Sequence, residues 1–224
     1  MYLISEIGQR VAWLVGKPVL FFLRFRTEGK ENIASLKNGF ILASNHTSEL
    51  DSLVILSSFS LFSKRLAVYF VSGPRSFYRS NLWQKVVYTE TLFRFIGAYP
   101  IIFGLKDYEK SLETHIKILR KGRNIGFFPE GGITKDGKLG EAKGGIVALS
   151  QITGLPIVPV AISGLYRMRF KDFLLRRNKA IVRFGKPIFP EELFSGYENP
   201  NVKDYKNIAN EKIMGAIARI IEGQ

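Results

Sequence analysis

Short apolar runs alternate with segments of helical period along this 224-residue chain. Residues 39–44 (GFILAS), 65–72 (RLAVYFVS) and 155–164 (LPIVPVAISG) have the length and β-branched content of buried strands. Residues 98–103 (AYPIIF), 124–132 (NIGFFPEGG) and 179–188 (KAIVRFGKPI) read the same way, and 25–33 reads as an edge strand with a turn. Between them, residues 48–59, 81–97, 106–122 and 143–154 repeat apolar positions at helical spacing, and a helix over 203–222 closes the chain. In the 106–122 helix the buried stripe is Leu112, Ile116 and Leu119; His115 falls off it and reads as a surface residue. Buried strands alternating with helices predict an α/β domain over residues 25–224, with a mostly parallel central sheet flanked by helices.

The first 24 residues follow a different pattern. Leu3, Ile4, Ile7, Val11, Leu14 and Val15 fall on one helical stripe, with Glu6, Gln9 and Arg10 off it. The GKP at 16–18 predicts a break, and VLFFL follows it. The apolar run 11–23 is shorter than the roughly 20 residues that cross a bilayer. Two short helices lying on a membrane surface, or an amphipathic helix packed on the domain's own core, both satisfy this pattern. The membrane reading makes residues 1–24 an interfacial segment and the protein a peripheral or monotopic one at the cytoplasmic face.

Charge sharpens the picture. Lys and Arg number 33 against 19 acids, a net charge of +14. Residues 164–186 hold eight of those cations and one aspartate, interleaved with Tyr166, Phe170, Phe173 and Phe184. Such a surface attracts an anionic bilayer, an acidic carrier protein or nucleic acid. The absence of cysteine excludes thiol nucleophiles, disulfides and thiolate metal sites. Two histidines 69 residues apart argue against a histidine metal site, and no metal or other cofactor is expected.

The candidate chemistry sits in SNHTSELDSL, residues 44–53, between two apolar runs. Ser48 is placed to cap the following helix, with Asp51 in its first turn. His46 and Asp51 would point roughly 140° apart within one ideal helix, at about 100° per residue. They can meet if His46 lies on the approach loop. An aspartate on one imidazole nitrogen fixes the tautomer and leaves the other nitrogen to take a proton. Ser44, Ser48 and Ser52 lie close by, but none sits in a G-x-S-x-G elbow. Glu130 follows a second predicted strand, so His46 and Glu130 are expected at one sheet edge. Gly131 and Gly132 allow close approach of a ligand there, and the carboxylate can accept hydroxyl bonds.

With these residues in hand, the chain resembles the glycerolipid acyltransferases, the lysophosphatidate acyltransferase superfamily. Asn45-His46 with four residues before Asp51 is similar to that family's first block. FFPEGG (127–132) is similar to its F-P-E-G block, KGG (143–145) to the F-K-x-G element, LPIVPVAISG to its final core strand, and GKENI (29–33) to its leading turn. The resemblance covers about residues 25–190. It implies a glycerol-3-phosphate acyltransferase-like fold and direct acyl transfer without a covalent intermediate. His46, oriented by Asp51, would deprotonate the hydroxyl of a lysolipid acceptor. The donor would be an acyl thioester of coenzyme A or acyl carrier protein. Asn45 would hold the loop or donate toward the thioester. Glu130, Gly131, Gly132, Lys143 and Lys106 would line the acceptor site.

Two departures bear on the acceptor. The family's second block carries an arginine where Phe103 stands, with Lys106 the nearest cation; its third carries one where Ile133 stands. A guanidinium fork grips phosphate bidentately, which isoleucine cannot do. Either Lys106, Lys143, Arg75 or the 164–186 cluster holds a phosphate, or the head group is larger or neutral, or the acceptor is an aminolipid or glycolipid. A lipid hydrolase or transacylase using the same pair is the alternative enzyme. A basic membrane- or nucleic-acid-binding protein is the alternative without catalysis. Polar knots at strand ends favour an enzyme and disfavour nucleic acid as partner.

Overall fold

The computed structural model describes residues 2–73, 90–102, 105, 107–198 and 200–223. Seven strands form one sheet: β1 (Arg26–Glu28), β2 (Ile41–Ser44), β3 (Val68–Ser72), β4 (Ala98–Pro100), β5 (Asn124–Phe127), β6 (Ile157–Ser163) and β7 (Ile181–Phe184). Their order is β1-β7-β6-β2-β5-β3-β4. Every pairing is parallel except β6 with β7. The expected mostly parallel α/β sheet is therefore present, and each predicted strand contains one of the seven.

Period-two alternation divides the core into two layers. Ile41, Ala43, Ile125, Phe127, Ile157 and Ala161 face one side, where helices α5 (Glu113–Arg120) and α6 (Gly145–Thr153) pack. Phe40, Leu42, Val68, Phe70, Val158 and Val160 face the other, against α1 (Tyr2–Phe22) and α2 (Asp51–Ser57). Helices α3 (Glu90–Ile96), α4 (Tyr108–Ser111), α7 (Phe170–Leu174) and α8 (Pro190–Leu193) connect these layers. The chain ends with α9 (Asp204–Ile208), a π-helical stretch (Ala209–Met214) and α10 (Gly215–Glu222) laid along β6. Of the predicted 81–97 helix, residues 81–89 lie outside the described residues.

The N-terminal segment differs from expectation. The predicted break at GKP is absent, and one 21-residue helix runs through Pro18. Pro18 lies on the exposed face, and the bond it forgoes to the Leu14 carbonyl is also at that surface. The helix is inverted relative to a soluble amphipathic helix. It buries Ser5, Gly8, Gln9, Gly16 and Leu20, while Leu3, Ile4, Ile7, Val11, Leu14, Val15 and Phe21 stay exposed. Gly8 permits this docking, since a Cβ there would meet the Phe95 carbonyl oxygen of α3. Gln9 Nε2 donates to the carbonyls of Val68 and Ile96. The apolar stripe therefore does not pack on the domain's own core. Among the described residues, no helix is long and apolar enough to cross a membrane.

His115 is a second correction: it is completely buried, not a surface residue. The stripe seen in sequence is narrower than the buried arc of α5, because β4 covers its flank. His115 Nε2 donates to the Tyr99 carbonyl at 3.1 Å, and Nδ1 has no partner. Burial pushes the His115 pKa down to about 4. The unfolded chain binds this proton below its ordinary value of about 6.5, whereas the folded one does not until about 4. Stability is therefore expected to be full above about pH 6.5 and to fall as pH drops toward 4, by on the order of 3 kcal/mol from this group. Chemical denaturation across that window should show the slope, and His115→Gln should flatten it.

Candidate active site

The register of β2 against β5 sets the site. Ala43 pairs with Phe127, so His46 and Glu130 each lie three residues beyond that pair at the C-terminal edge of the sheet. Their loops are stitched together there. The backbone N–H of His46 donates to Glu130 Oε1 at 3.0 Å, and Gly140 N–H donates to Oε2 at 2.8 Å. Thr134 N–H donates to the His46 carbonyl at 2.8 Å.

On the other side of β2, Asn45 extends the ladder by one rung. Its Nδ2 donates to the Ile162 carbonyl at 2.9 Å, and its Oδ1 accepts from Ile162 N–H at 2.7 Å. Asn45 is buried and thus anchors the loop to β6. The amide that sequence reading left open for a thioester is taken up by backbone. Glu130 differs from expectation in the same way, since both of its oxygens are held by backbone N–H groups. It stands behind the loop, with Thr47 and Thr134 around it, rather than lining the cavity described below.

His46 and Asp51 meet as the loop model requires. Nδ1 lies 2.9 Å from Asp51 Oδ2, and the Asp51 side chain is fully buried. Thr47 N–H and Ser48 N–H donate to the same oxygen, while the Thr47 hydroxyl reaches Oδ1 at 3.2 Å. Ser48 does not cap α2 as predicted. Its hydroxyl accepts from Leu50 N–H, and the helix starts at Asp51 with Leu50 before it. Asp51 itself closes the loop in front of its own helix. The imidazole stacks on Phe128 with ring centroids 3.9 Å apart and planes 13° apart, and Phe70 stacks behind Phe128. Sequence reading missed Phe128; its place directly before Pro129 and Glu130 was the available signal.

Nδ1–H toward Asp51 leaves Nε2 as the ring's acceptor. His46 lines a cavity of about 250 Å³ whose walls include Val71, Ile101, Ile102, Leu105 and Leu112. Tyr108, Gly131, Gly132 and Lys143 complete its rim. Gly131 has φ 75°, and a Cβ there would fall 2.7 Å from Lys143 Nζ. A side chain at 131 would therefore displace the ammonium. Lys143 has no carboxylate partner among the described residues. Lys106, Phe103 and Arg75 lie outside the described residues. Ile133 is exposed. Among the described residues, no group of three or more His, Asp or Glu is placed to hold a metal ion.

At the edge of this mostly parallel sheet, an imidazole oriented by a buried carboxylate beside an apolar cavity is an arrangement able to accept a proton next to a ligand with an apolar part. The chain belongs to the Acyltransferase family, whose model matches residues 24–163. It is similar to a chloroplastic 1-acyl-sn-glycerol-3-phosphate acyltransferase of Arabidopsis thaliana, 30% identical over 174 residues, which are 75% of this chain and 44% of the relative. A 1-acyl-sn-glycerol-3-phosphate acyltransferase of Borreliella burgdorferi is 24% identical over 190 residues, 85% of this chain and 69% of that one. The chain spans less than half the length of the plant relatives. The crystal structure of the 1-acyl-sn-glycerophosphate acyltransferase PlsC from Thermotoga maritima shares the fold. Its TM-score is 0.62 over 95% of this chain and 79% of that one, at 19% identity.

Removing the Asn45 amide would leave the N–H and carbonyl of Ile162 without their partners inside the protein. Asn45→Ala is expected to destabilise by about 1–3 kcal/mol, read from the denaturant midpoint at constant slope. A change below about 0.5 kcal/mol would mean that this rung does not hold the loop.

Proposed function

We propose that the protein transfers a fatty acyl group from a thioester, carried by coenzyme A or acyl carrier protein, to the hydroxyl of a lysophospholipid. The observation that carries this reading is the His46–Asp51 pair, with Nε2 open beside an apolar cavity that has a lysine at its rim. Nε2 takes the acceptor's hydroxyl proton as its oxygen bonds to the thioester carbon. The tetrahedral species then breaks its C–S bond, and the leaving thiolate takes the proton back from His46. Asp51 holds the ring in the tautomer that makes both transfers possible and stabilises the imidazolium between them. No acyl-enzyme forms, and the nearby hydroxyls are otherwise engaged: Ser44 bonds the Asn45 carbonyl and Ser48 accepts from Leu50.

The acceptor we favour is 1-acyl-glycerol-3-phosphate, the substrate in the relatives' names. With Ile133 in place of an arginine, Lys143 is the described cation on the cavity rim and would meet the phosphate as a point charge. The α1 stripe supports work at a membrane surface. Seven large apolar side chains along a helix about 30 Å long face outward while Ser5, Gly8, Gln9 and Gly16 face the domain.

Purified protein would be given a labelled acyl thioester and a panel of lysolipids, with products read by mass spectrometry. His46→Ala is expected to lower turnover at least 10²-fold without loss of fold. Lys143→Met is expected to raise KM for lysophosphatidate about tenfold or more, and to change KM for an uncharged lysolipid little. Turnover retained without His46 would overturn the mechanism. Release of free fatty acid without an acceptor would favour a hydrolase.

A further inference from the structure

Helices α1 and α7, which both expose large apolar side chains, end in the same way, and their ends touch. A helix commonly closes with one residue in left-handed backbone, a position that glycine usually fills. Helices α5, α6 and α10 follow this rule with Gly122, Gly154 and Gly223, at φ 72°, 67° and 79°. Helices α1 and α7 instead use Arg24 and Arg176, at φ 48° and 53°. The bonds of this closure are present in both. Phe25 N–H donates to the Leu20 carbonyl at 3.1 Å, and Arg177 N–H donates to the Asp172 carbonyl at 2.9 Å. Arg167, in the turn before α7, has φ 45°. Among the described residues, every non-glycine residue with positive φ is thus an arginine, and two of the three close these helices. Side chains are strained in that backbone region, so a functional reason for keeping them is called for.

The surroundings indicate what that reason is. The Arg176 guanidinium lies 3.9 Å over the ring of Phe21, and the rings of Phe22 and Phe173 are 5.3 Å apart. Phe21 belongs to the exposed stripe of α1. Phe170, 73% exposed, continues it onto α7 with Leu174 and Leu175. Residues 167–179 hold six Lys or Arg and one acid, Asp172, which is shared by Arg169 and Arg177. Arg24 and Lys171 have no carboxylate partner among the described residues. Bare aliphatic and aromatic side chains ringed by cations match an interface with an apolar interior and an anionic skin. A nucleic-acid groove would have little use for exposed leucines.

We propose that the α1–α7 junction is a docking surface for an anionic lipid bilayer. Phe170, Leu174 and Leu175 enter the headgroup boundary, and Arg24, Arg176 and their neighbours hold anionic headgroups. The inference rests on the membrane-surface reading of α1. It adds a preference for anionic lipid, located in residues outside the stripe and outside the catalytic site.

The test uses the full chain with vesicles of phosphatidylcholine, alone or mixed with phosphatidylglycerol. The double variant Arg24→Gly/Arg176→Gly removes two charges and relieves both backbones; Arg24→Lys/Arg176→Lys keeps the charges. The glycine variant should bind mixed vesicles roughly thirty-fold more weakly and pure phosphatidylcholine unchanged. Its unfolding temperature should rise, and the lysine variant should bind like wild type. Mixed-vesicle binding retained by the glycine variant would overturn the proposal. A lowered unfolding temperature would too, by assigning the arginines to the helix ends. Tighter binding of a DNA duplex than of mixed vesicles would reassign the surface to nucleic acid. Wild type binding both vesicle types equally would sink this inference and leave the α1 reading standing. Wild type binding neither would sink both.

Discussion

A carboxylate withdrawn from water must be met by donors, and Asp51 is met by four: the Thr47 and Ser48 backbone N–H groups, the Thr47 hydroxyl and the His46 ring. The same bonds that make its burial tolerable fold residues 46–51 into a closed loop. They leave the imidazole one orientation. The geometry of the candidate site and its local folding are therefore one set of interactions, and the ring stack on Phe128 completes it.

That loop is held in place by the sheet. Asn45 binds it to β6 and Glu130 binds it to the loop after β5, so the strands on both sides of β2 grip the segment carrying His46. The π-helical stretch holds the segment across the cavity. Asn210 accepts from Ala142 N–H at 2.8 Å and donates to the Ala142 carbonyl at 3.2 Å, fixing the backbone next to Lys143. Asn45 and Glu130, polar residues expected to bind a ligand, instead position the groups that line the cavity.

The inverted helix α1 shows a related division. Its buried side uses small and amide side chains: Gly8 and Ser5 allow close approach to the α3 backbone, Gly16 makes room for Leu53 of α2, and Gln9 reaches the carbonyls of Val68 and Ile96. Its apolar side stays exposed. Helix α7 meets it through Phe173 and Arg176, so apolar and cationic surface are joined at one end of the molecule.

The sequence by itself determined the strands, most of the helices, the α/β class and the pairing of His46 with Asp51. These follow from local quantities: apolar period, turn residues and the reach of a side chain over five positions. Continuity of α1 through Pro18, the burial of His115 and the roles of Asn45 and Glu130 were decided by tertiary structure. At Pro18 the lost bond faces an exposed surface, and packing of the rest of the helix on the domain keeps it continuous. A stripe gives the centre of a buried arc, not its width, which neighbours such as β4 set. Whether an amide or carboxylate meets a ligand or backbone depends on which strands lie alongside. The order β6-β2-β5, not the order along the chain, brings the Ile162 backbone to Asn45 and the His46 N–H to Glu130.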